Sequence, residues 1–394
     1  MGPGIFNHPS WKRVRQIYKA PGNATHFYDN YSPNPGYIYT AEGAAFTHEV
    51  LLSFHDGKAG RTAAELNSAT QHPVVVRQDP VHAMRVPFMG FAIRPRDPGK
   101  NPEIERAVNQ IGRMAMGRWV GAQNFGLLRY GMVRWGRHEP IEDPNANFYR
   151  WMDNGQYGQQ LIPWLLYLRG GDRRFFDDAE LDSRYAMDMS TNHFNTRGSP
   201  TGYIAGCGSA LPFAPFGFSP GNMKMQKIHF LAYYYHLTGY RRARDVMEEV
   251  IAGTKEFSLA YEKALRAKEP GKEYFNLSNG GREMYNMNVF WVNAWEETWD
   301  PEIRRLADNN RRSTIGTQYR PTDNTFNGPP VYVYDGLVLQ HRLSGDPATR
   351  EVMLRHLDVE SLATHGGLTR PQAEEDIIGY QWAYEQTRNR RFAD

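Results

Sequence analysis

The chain has 394 residues and a formal net charge of +3, with 40% hydrophobic and 13% aromatic residues. This composition can build a sizeable core, so it excludes global disorder. The small net charge gives no argument for a nucleic-acid partner. The length allows two domains, or one large domain with an appendage.

The basic residues are strongly biased towards arginine, with 36 Arg and 10 Lys among the 46. Guanidinium groups match carboxylate and sulfate groups bidentately, so this bias suits an acidic ligand. A GC-rich genome would give the same bias without any ligand, and composition alone does not separate the two explanations. The aromatic residues are equally ambiguous, because they fill cores as well as bind the flat faces of sugars.

The single cysteine, Cys207, excludes an intrachain disulfide and lacks the spaced partners of a zinc cluster. Because no His or carboxylate cluster has ligand spacing, we expect no metal and no other cofactor. No apolar run approaches the ~20 residues of a membrane span, so no membrane partner is expected. No signal peptide is visible, which predicts a cytoplasmic protein, or a secreted one if the sequence is a truncated mature form.

Residues 1–102 are predicted to form a β-rich leading segment, the remnant of a β-sandwich, that ends in a Pro- and Gly-rich linker from residue 94. The best strand candidate is 46–54, where alternate positions are apolar, and a second candidate is 73–77. The sequence therefore divides into this segment and a helical domain at 103–394.

The helical domain contains a recurring junction. Residues 240–256 carry one apolar stripe at helical spacing. Four junctions look alike, each with an aromatic or apolar stretch before it and a polar one after it, and Gly can end the first helix in all but the third. They lie at 167–173, 235–241, 295–301 and 341–347, with a fainter fifth copy at 384–390.

Alignment of these junctions gives unequal repeat lengths. Gly171, Gly239, Trp299 and Gly345 stand 68, 60 and 46 residues apart. A strict solenoid has one period. Unequal steps instead favour an (α/α) toroid, in which inner helices line a cavity and variable loops build one rim. The predicted fold is therefore mainly α, a toroid of paired helices preceded by a small β-rich segment.

Four stretches of the chain resemble the exo-rhamnogalacturonan lyase group of polysaccharide lyases. They are residues 149–157, 163–172, 185–193 and 280–287. Residues 47–55 look like a strand of the β-sandwich that precedes the toroid in that group. The resemblance implies a lyase that acts on an acidic polysaccharide or oligosaccharide. This chain departs from the group after Asn154, where Gly155 and Gln156 replace an acidic residue and a histidine.

A polysaccharide lyase needs a cation or amide for the uronate carboxylate, a base for the α proton and an acid for the leaving oxygen. His193 is the first candidate base, because Asn192 and Arg197 beside it could hold the carboxylate. The alternative is that His193 caps helix carbonyls. A second group has Arg282 as carboxylate ligand and Tyr285 as acid or base.

Other candidates have equally plausible structural roles. Glu283 could bind substrate, or cap a helix start and pair with its neighbour Arg282. Tyr157 is a candidate for proton transfer. Asn154 could bind an anionic sugar at a helix start or act as a simple N-cap. His138 is a loop histidine that could bind substrate.

Three functions therefore remain open. The first is a lyase that cleaves a rhamnogalacturonan- or ulvan-like polysaccharide by β-elimination. The second is a glycoside hydrolase on the same toroid, which needs two carboxylates, with candidates Asp153, Asp188, Glu139 and Glu283. The third is a non-catalytic carbohydrate-binding protein, suggested by the replacements at Gly155 and Gln156.

Overall fold

The computed structural model describes most of the helical part of the chain and pieces of the leading segment. The described residues are 45, 47–57, 60–71, 73–75, 77, 79–85, 94–110, 158, 160–194, 202–204, 226–275, 277, 281–327, 330–362 and 377–392. All structural statements below concern these residues.

The elements alternate between inner and outer helices. In chain order they are α1 Ala63–Gln71, α2 Pro80–Arg85, α3 Leu161–Gly170, α4 Arg173–Tyr185, β1 Thr191–Asn192, β2 Tyr203–Ile204, α5 His229–Thr238, α6 Arg241–Lys268, α7 Gly281–Thr298, α8 Pro301–Gln318, β3 Tyr319–Arg320, β4 Thr325–Phe326, α9 Pro330–Ser344, α10 Pro347–Leu362 and α11 Ile377–Thr387. Residues 102–110 are also helical. A π-helical turn, Ala186–Ser190, extends α4, and a 3-10 turn, Arg390–Phe392, follows α11.

The inner helices α3, α5, α7, α9 and α11 pack side by side in chain order. Trp164 of α3 stacks on Tyr234 of α5 with ring centroids 5.3 Å apart, and α9 packs against both α7 and α11. Outer helices α4, α6, α8 and α10 each pack on the inner helix before them. Gly336 permits the closest approach, since a Cβ there would lie 2.6 Å from both Asn288 Cβ and Tyr285 O. The predicted (α/α) toroid is confirmed.

Each inner helix ends in the same left-handed turn. The residue after the helix donates its backbone N–H to the carbonyl four residues earlier, at 2.6–2.8 Å, and has a positive φ. These residues are Gly171, Gly239, Trp299, Gly345 and Arg388. The four predicted junctions and the fainter fifth are therefore structurally equivalent, although two of them use a residue other than glycine.

Short polar side chains reinforce these turns. The hydroxyls of Thr238, Thr298 and Thr387, each in the last position of an inner helix, donate to the carbonyl four residues earlier. Each hydroxyl then accepts the backbone N–H two residues on. Asp300 and Asp346 cap the outer helices that follow. The turn is therefore encoded locally, by a hydroxyl, a left-handed residue and, in some copies, an Asp.

The five turns define one face of the toroid, which we call the turn face. Because the inner helices run parallel to one another, their N-termini lie together at the opposite face, which we call the rim face. The longer connections join this face, including the two antiparallel strand pairs, β1 with β2 and β3 with β4. A site built from several inner helices therefore forms at the rim face.

The leading segment differs from expectation. Residues 47–54 form no strand, and Val50 and Phe54 are 77% and 90% exposed instead of half-buried on one face. The reason is a different set of partners, since the N–H groups of Ala45 and Thr47 donate to Asp188 and not to a neighbouring strand. The described residues of 73–77 are not in a strand either. Elsewhere in the segment, α1 and α2 are helices.

The predicted linker packs on the toroid. The N–H of Arg96 donates to the carbonyl of Arg169, at the end of α3, over 3.0 Å. Arg169 also forms an ion pair of 2.6 Å with the buried carboxylate of Glu105. The boundary at residues 102 and 103 stays a prediction. Among the helices described, none has the length and apolar character needed to cross a membrane.

Candidate functional site

A buried cation lies at the rim face between two inner helices. Lys227 lies two residues before the start of α5, and Asp335 lies in the second turn of α9. Lys227 Nζ is 3.9 Å from Asp335 Oδ2, which is an ion pair but too long for a hydrogen bond. The Lys227 side chain is 4% exposed and that of Asp335 is 24% exposed. Asp335 is thus the member of the pair that solvent reaches.

Burial shapes the protonation of both groups. It lowers the pKa of Lys227 and raises the pKa of Asp335, because removal from water disfavours each charged form. Each partner moderates the shift of the other by its opposite charge. A carboxylate that is surrounded by protein yet reached by solvent has the environment of a cleft wall. Such an environment is typical of side chains that act on a substrate.

His229 and Gly158 complete this group. His229 begins α5 and is buried, and its pKa is lowered to about 3 by burial and by the neighbouring charge of Lys227. The imidazole is therefore neutral at pH 7. Gly158 has φ +66°, and a Cβ there would lie 3.1 Å from His229 Nε2 and 3.6 Å from Lys227 Cδ. We call Lys227, His229 and Asp335 the rim cluster, with Gly158 packed against its first two members.

His193 lies against outer helix α6 and contacts Glu249 of that helix. Its Nδ1 is 2.7 Å from Glu249 Oε2, and its Nε2 is 2.6 Å from the carbonyl of Met187. The Arg242 guanidinium also lies 3.3 Å from the same Nε2, so both ring nitrogens have polar partners. The predicted role as a base would require one of these bonds to break. Of its predicted neighbours, Asn192 is buried and pairs with Tyr203 between β1 and β2, and Arg197 lies outside the described residues.

Tyr285 lies in the wall between α7 and α9. Its ring is fully buried, and its hydroxyl donates to the carbonyl of Asn327 at 2.6 Å. Burial raises the pKa of this phenol. The hydroxyl thus has a structural partner, and the predicted proton transfer would have to displace it. Glu283 stands in the first turn of α7, where a carboxylate is favourable to the helix dipole. Arg282 belongs to the same turn, and its side chain is not among those described.

The remaining predicted residues divide in two. Tyr157, Asn154 and His138 lie outside the described residues, as do Asp153 and Glu139 from the hydrolase hypothesis. Asp188 is described, and both of its oxygens accept from Thr47, Oδ2 from the backbone N–H at 2.7 Å and Oδ1 from the hydroxyl at 2.8 Å. This carboxylate clasps the leading segment to the π-helical turn. Its oxygens are therefore already used for structure.

The rim cluster was missed in the sequence because its members carry no motif. None of Lys227, His229 and Asp335 is among the candidates that the sequence indicates. A signal was nevertheless present. Each is a lone charge beside an apolar run, Lys227 before 228–235 and Asp335 between 331–334 and 337–339. A lone charge at such a place is buried at a cost and needs an explanation. In the described part of the chain, no group of three His, Cys, Asp or Glu gathers as a metal ion would require.

The fold and this site define a toroid with a charged, partly buried cluster at its rim. The profile of the PcRGLX-like protein C-terminal alpha/alpha toroid domain matches residues 146–335, slightly less than half of the chain. The toroid is therefore related to that of PcRGLX-like proteins. A comparison with curated proteins finds no match.

Among solved structures, a sugar epimerase from a ruminal bacterium is similar to this chain, with 10% sequence identity and a TM-score of 0.46. The similarity covers 73% of this chain and 84% of the epimerase chain. A likeness of that size carries no argument about function.

Proposed function

We propose that this chain is an enzyme that acts on a saccharide, and more narrowly a polysaccharide lyase that cleaves a uronate-containing polysaccharide by β-elimination. The observation that carries the proposal is the buried Lys227 beside the solvent-reached Asp335 at the rim face. A buried ammonium group that lacks a hydrogen-bonded carboxylate suits an anionic ligand. The relation of the toroid to PcRGLX-like proteins supports a saccharide substrate.

The rim cluster supplies two of the three groups that elimination requires. Lys227 pairs with the uronate carboxylate, so that negative charge can develop there as the C5–H bond breaks. Asp335 takes the C5 proton, and its raised pKa makes it a stronger base than an exposed carboxylate. His229 stays neutral and lines the site without competing for the carboxylate.

The third group protonates the leaving oxygen. As the C4–O4 bond breaks and the C4=C5 double bond forms, O4 needs a proton from an acid. We assign this role to Tyr157, because it precedes Gly158, whose Cα packs against His229 and Lys227. Arg282, in the first turn of α7 at the same face, is proposed as a second cation for the carboxylate. These assignments replace His193 and Tyr285, whose polar atoms already have partners.

The proposed function is tested by assaying the elimination reaction directly. The full chain is incubated with rhamnogalacturonan, ulvan and glucuronan, and the ultraviolet absorbance of the unsaturated uronate product is followed. We expect Lys227→Met and Asp335→Asn to lower kcat/KM by about a hundredfold or more, as removal of a charge-stabilising or proton-transfer group does. The matched controls are Lys263→Met and Asp245→Asn, both exposed on outer helix α6, which should leave the rate unchanged.

The other outcomes choose between the alternatives. Reducing sugar released without new ultraviolet absorbance would select the hydrolase. Binding of an acidic saccharide by calorimetry, with no turnover on long incubation, would select the binding protein. An elimination activity that survives both Lys227→Met and Asp335→Asn would show that the rim cluster is not the reacting site.

A further inference from the structure

A cavity of about 360 Å³ lies at the turn face. It is lined by the guanidinium-bearing residues Arg77, Arg96 and Arg169, together with Gly170 at the end of α3. α3 has 10 residues, so its two ends are about 15 Å apart. The cavity is therefore separated from the rim cluster by the length of an inner helix.

The cavity has an excess of positive charge, because the nearby carboxylates are already engaged. Glu105 pairs with Arg169 at 2.6 Å. Asp172 caps α4 and holds Arg174 through both of its oxygens, with contacts of 2.5 and 3.0 Å. Within the part of the chain that the structure describes, neither Arg77 nor Arg96 lies within ion-pairing distance of a carboxylate. Among the described residues, these two guanidinium groups thus line the cavity without an ion pair.

The end of α3 does not account for these arginines. Helix C-termini attract cations because their last carbonyls lack donors. Here the carbonyl of Tyr167 accepts the N–H of Gly171 at 2.6 Å, and that of Arg169 accepts the N–H of Arg96 at 3.0 Å. Backbone donors thus serve two carbonyls at this end of the helix, and among the described residues neither the Arg77 nor the Arg96 side chain donates to the others.

A cavity of similar size elsewhere on the molecule shows the opposite arrangement. It has a volume of about 410 Å³ and is lined in part by Arg266 and Arg305. There Glu262 accepts from both guanidinium groups, at 2.5 and 2.6 Å, and Glu302 pairs again with Arg305 at 2.9 Å. Both arginines at that cavity are therefore neutralised by carboxylates. At the turn face, Arg77 and Arg96 form no such ion pair with the residues that the structure describes.

We propose that the turn-face cavity is an anion subsite that binds a carboxylate or sulfate group of an acidic saccharide through Arg77 and Arg96, with Arg169 fixed behind them by Glu105. Paired guanidinium forks recognise the planar carboxylate and the sulfate group alike. That the anion belongs to a saccharide rests on the function proposed above. The subsite would hold a chain away from the reacting bond, which lengthens residence on a polymer.

Calorimetry with the full chain in the Lys227→Met background tests the subsite apart from the rim cluster. The probes are a galacturonate trisaccharide, a sulfated galactose trisaccharide, inorganic sulfate and a neutral galactose trisaccharide. We expect both charged saccharides to bind, the neutral one not to bind, and Arg77→Gln with Arg96→Gln to raise Kd about tenfold or more. The matched control, Arg266→Gln at the neutralised cavity, should leave Kd unchanged.

The glycines offer a second test without loss of charge. A Cβ at Gly171 would overlap the Arg77 guanidinium, whereas a Cβ at Gly239 meets nothing within 4 Å, and both residues have nearly the same positive φ. Gly171→Ala should therefore weaken binding by displacing Arg77, and Gly239→Ala, which carries the same backbone strain, should not.

Each contrary result overturns the subsite in a distinguishable way. Unchanged binding in the double arginine variant would show that Arg77 and Arg96 do not bind the anion. Binding that vanishes with Lys227→Met alone would place all recognition at the rim and leave the proposed function intact. Binding of inorganic sulfate without either charged saccharide would exclude a saccharide ligand. Absence of elimination activity in the parent protein, with trisaccharide binding retained, would refute the lyase and keep the subsite.

Discussion

Trp299 closes the end of α7 on Trp295, with its backbone N–H donating to the Trp295 carbonyl at 2.8 Å and the two ring centroids 4.7 Å apart. Its φ is +54°, a left-handed conformation that costs a residue with a Cβ about 1–2 kcal/mol. Three equivalent turns use glycine, which adopts this conformation freely. In the turn at Trp299, the contact between the two indole rings offsets the cost of the left-handed conformation.

The glycine turns predict a purely conformational cost. At Gly345, φ is +63° and an added Cβ would meet no atom within 4 Å. We therefore expect Gly345→Ala to lower the free energy of unfolding by about 1 kcal/mol, measured by urea denaturation. Gly99→Ala is the control, since its φ is not positive and its Cβ would make only an ordinary contact. Equal stability of the two variants would contradict the argument.

The buried residue His356 predicts that the folded protein loses stability at acidic pH. His356 is buried against Tyr334, whose hydroxyl shares a hydrogen bond with its Nδ1, and burial lowers its pKa from 6.5 to about 4. Between these values the unfolded chain binds a proton and the folded chain does not, so stability falls as pH drops through 6.5 towards 4. The loss attributable to this residue is on the order of 3 kcal/mol.

The His356→Gln variant tests that slope. Urea midpoints at pH 7 and pH 4.5 should differ less in the variant than in the parent protein. Some slope should remain, because the pKa of His229 is also lowered, to about 3. His55→Gln, at an exposed position, should keep the parent slope. A variant with the full parent slope would refute the role of His356.

A buried amide network joins α7 to α8. Asn310 Nδ2 donates to the Met284 carbonyl at 2.9 Å and to Asn288 Oδ1 at 2.7 Å, and Asn288 donates in turn to Thr314. Asn310→Ala removes the donor to the buried Asn288 Oδ1 and a second hydrogen bond to the Met284 carbonyl, which should lower the free energy of unfolding by about 2–4 kcal/mol. Gln381→Ala, on the exposed side of α11, should change it by less than about 0.5 kcal/mol. A tolerated Asn310→Ala would mean that water replaces the amide.

The clasp at Asp188 predicts local opening of the leading segment. Thr47→Val removes one of two hydrogen bonds to this carboxylate. A hydrogen bond to a charged group contributes about 1.5–3 kcal/mol, so amide exchange at Thr47 should accelerate by about tenfold or more. Thr70→Val, whose hydroxyl bonds only within its own helix, should leave exchange at Thr47 unaffected. Unchanged exchange in Thr47→Val would show that the segment is held elsewhere.

The toroid was predictable because each of its turns is determined by residues that are close together in the sequence. Gly171, Gly239 and Gly345 mark helix ends by their conformational freedom, and apolar stripes fix the faces of the helices. Trp299 could be placed only by alignment, since nothing in its residue type indicates a left-handed turn. The strand predicted at 46–54 is not found in the described residues of that segment. An alternating pattern identifies the two faces of a segment but does not identify a partner strand. Whether a neighbouring strand exists depends on the tertiary structure.

The site was less predictable for a related reason. His193 looked reactive in sequence, but Glu249, which occupies its Nδ1, lies 56 residues away. Lys227 and Asp335 are 108 residues apart, and their proximity depends on the packing of α5, α7 and α9. Gly336 permits part of that packing, and its effect appears only once Asn288 and Tyr285 are seen against it. Partners at such separations leave no trace in local spacing.

The five turns that close the inner helices also bear on how the chain folds. Four of them join an inner helix to the following outer helix through only two residues, so little chain entropy is lost when a helical hairpin forms. Contacts such as those between α7 and α8 are close in sequence, which keeps contact order low and favours fast folding. We therefore expect hairpins to form independently, with the pairing of Lys227 and Asp335 completed last, when neighbouring hairpins dock.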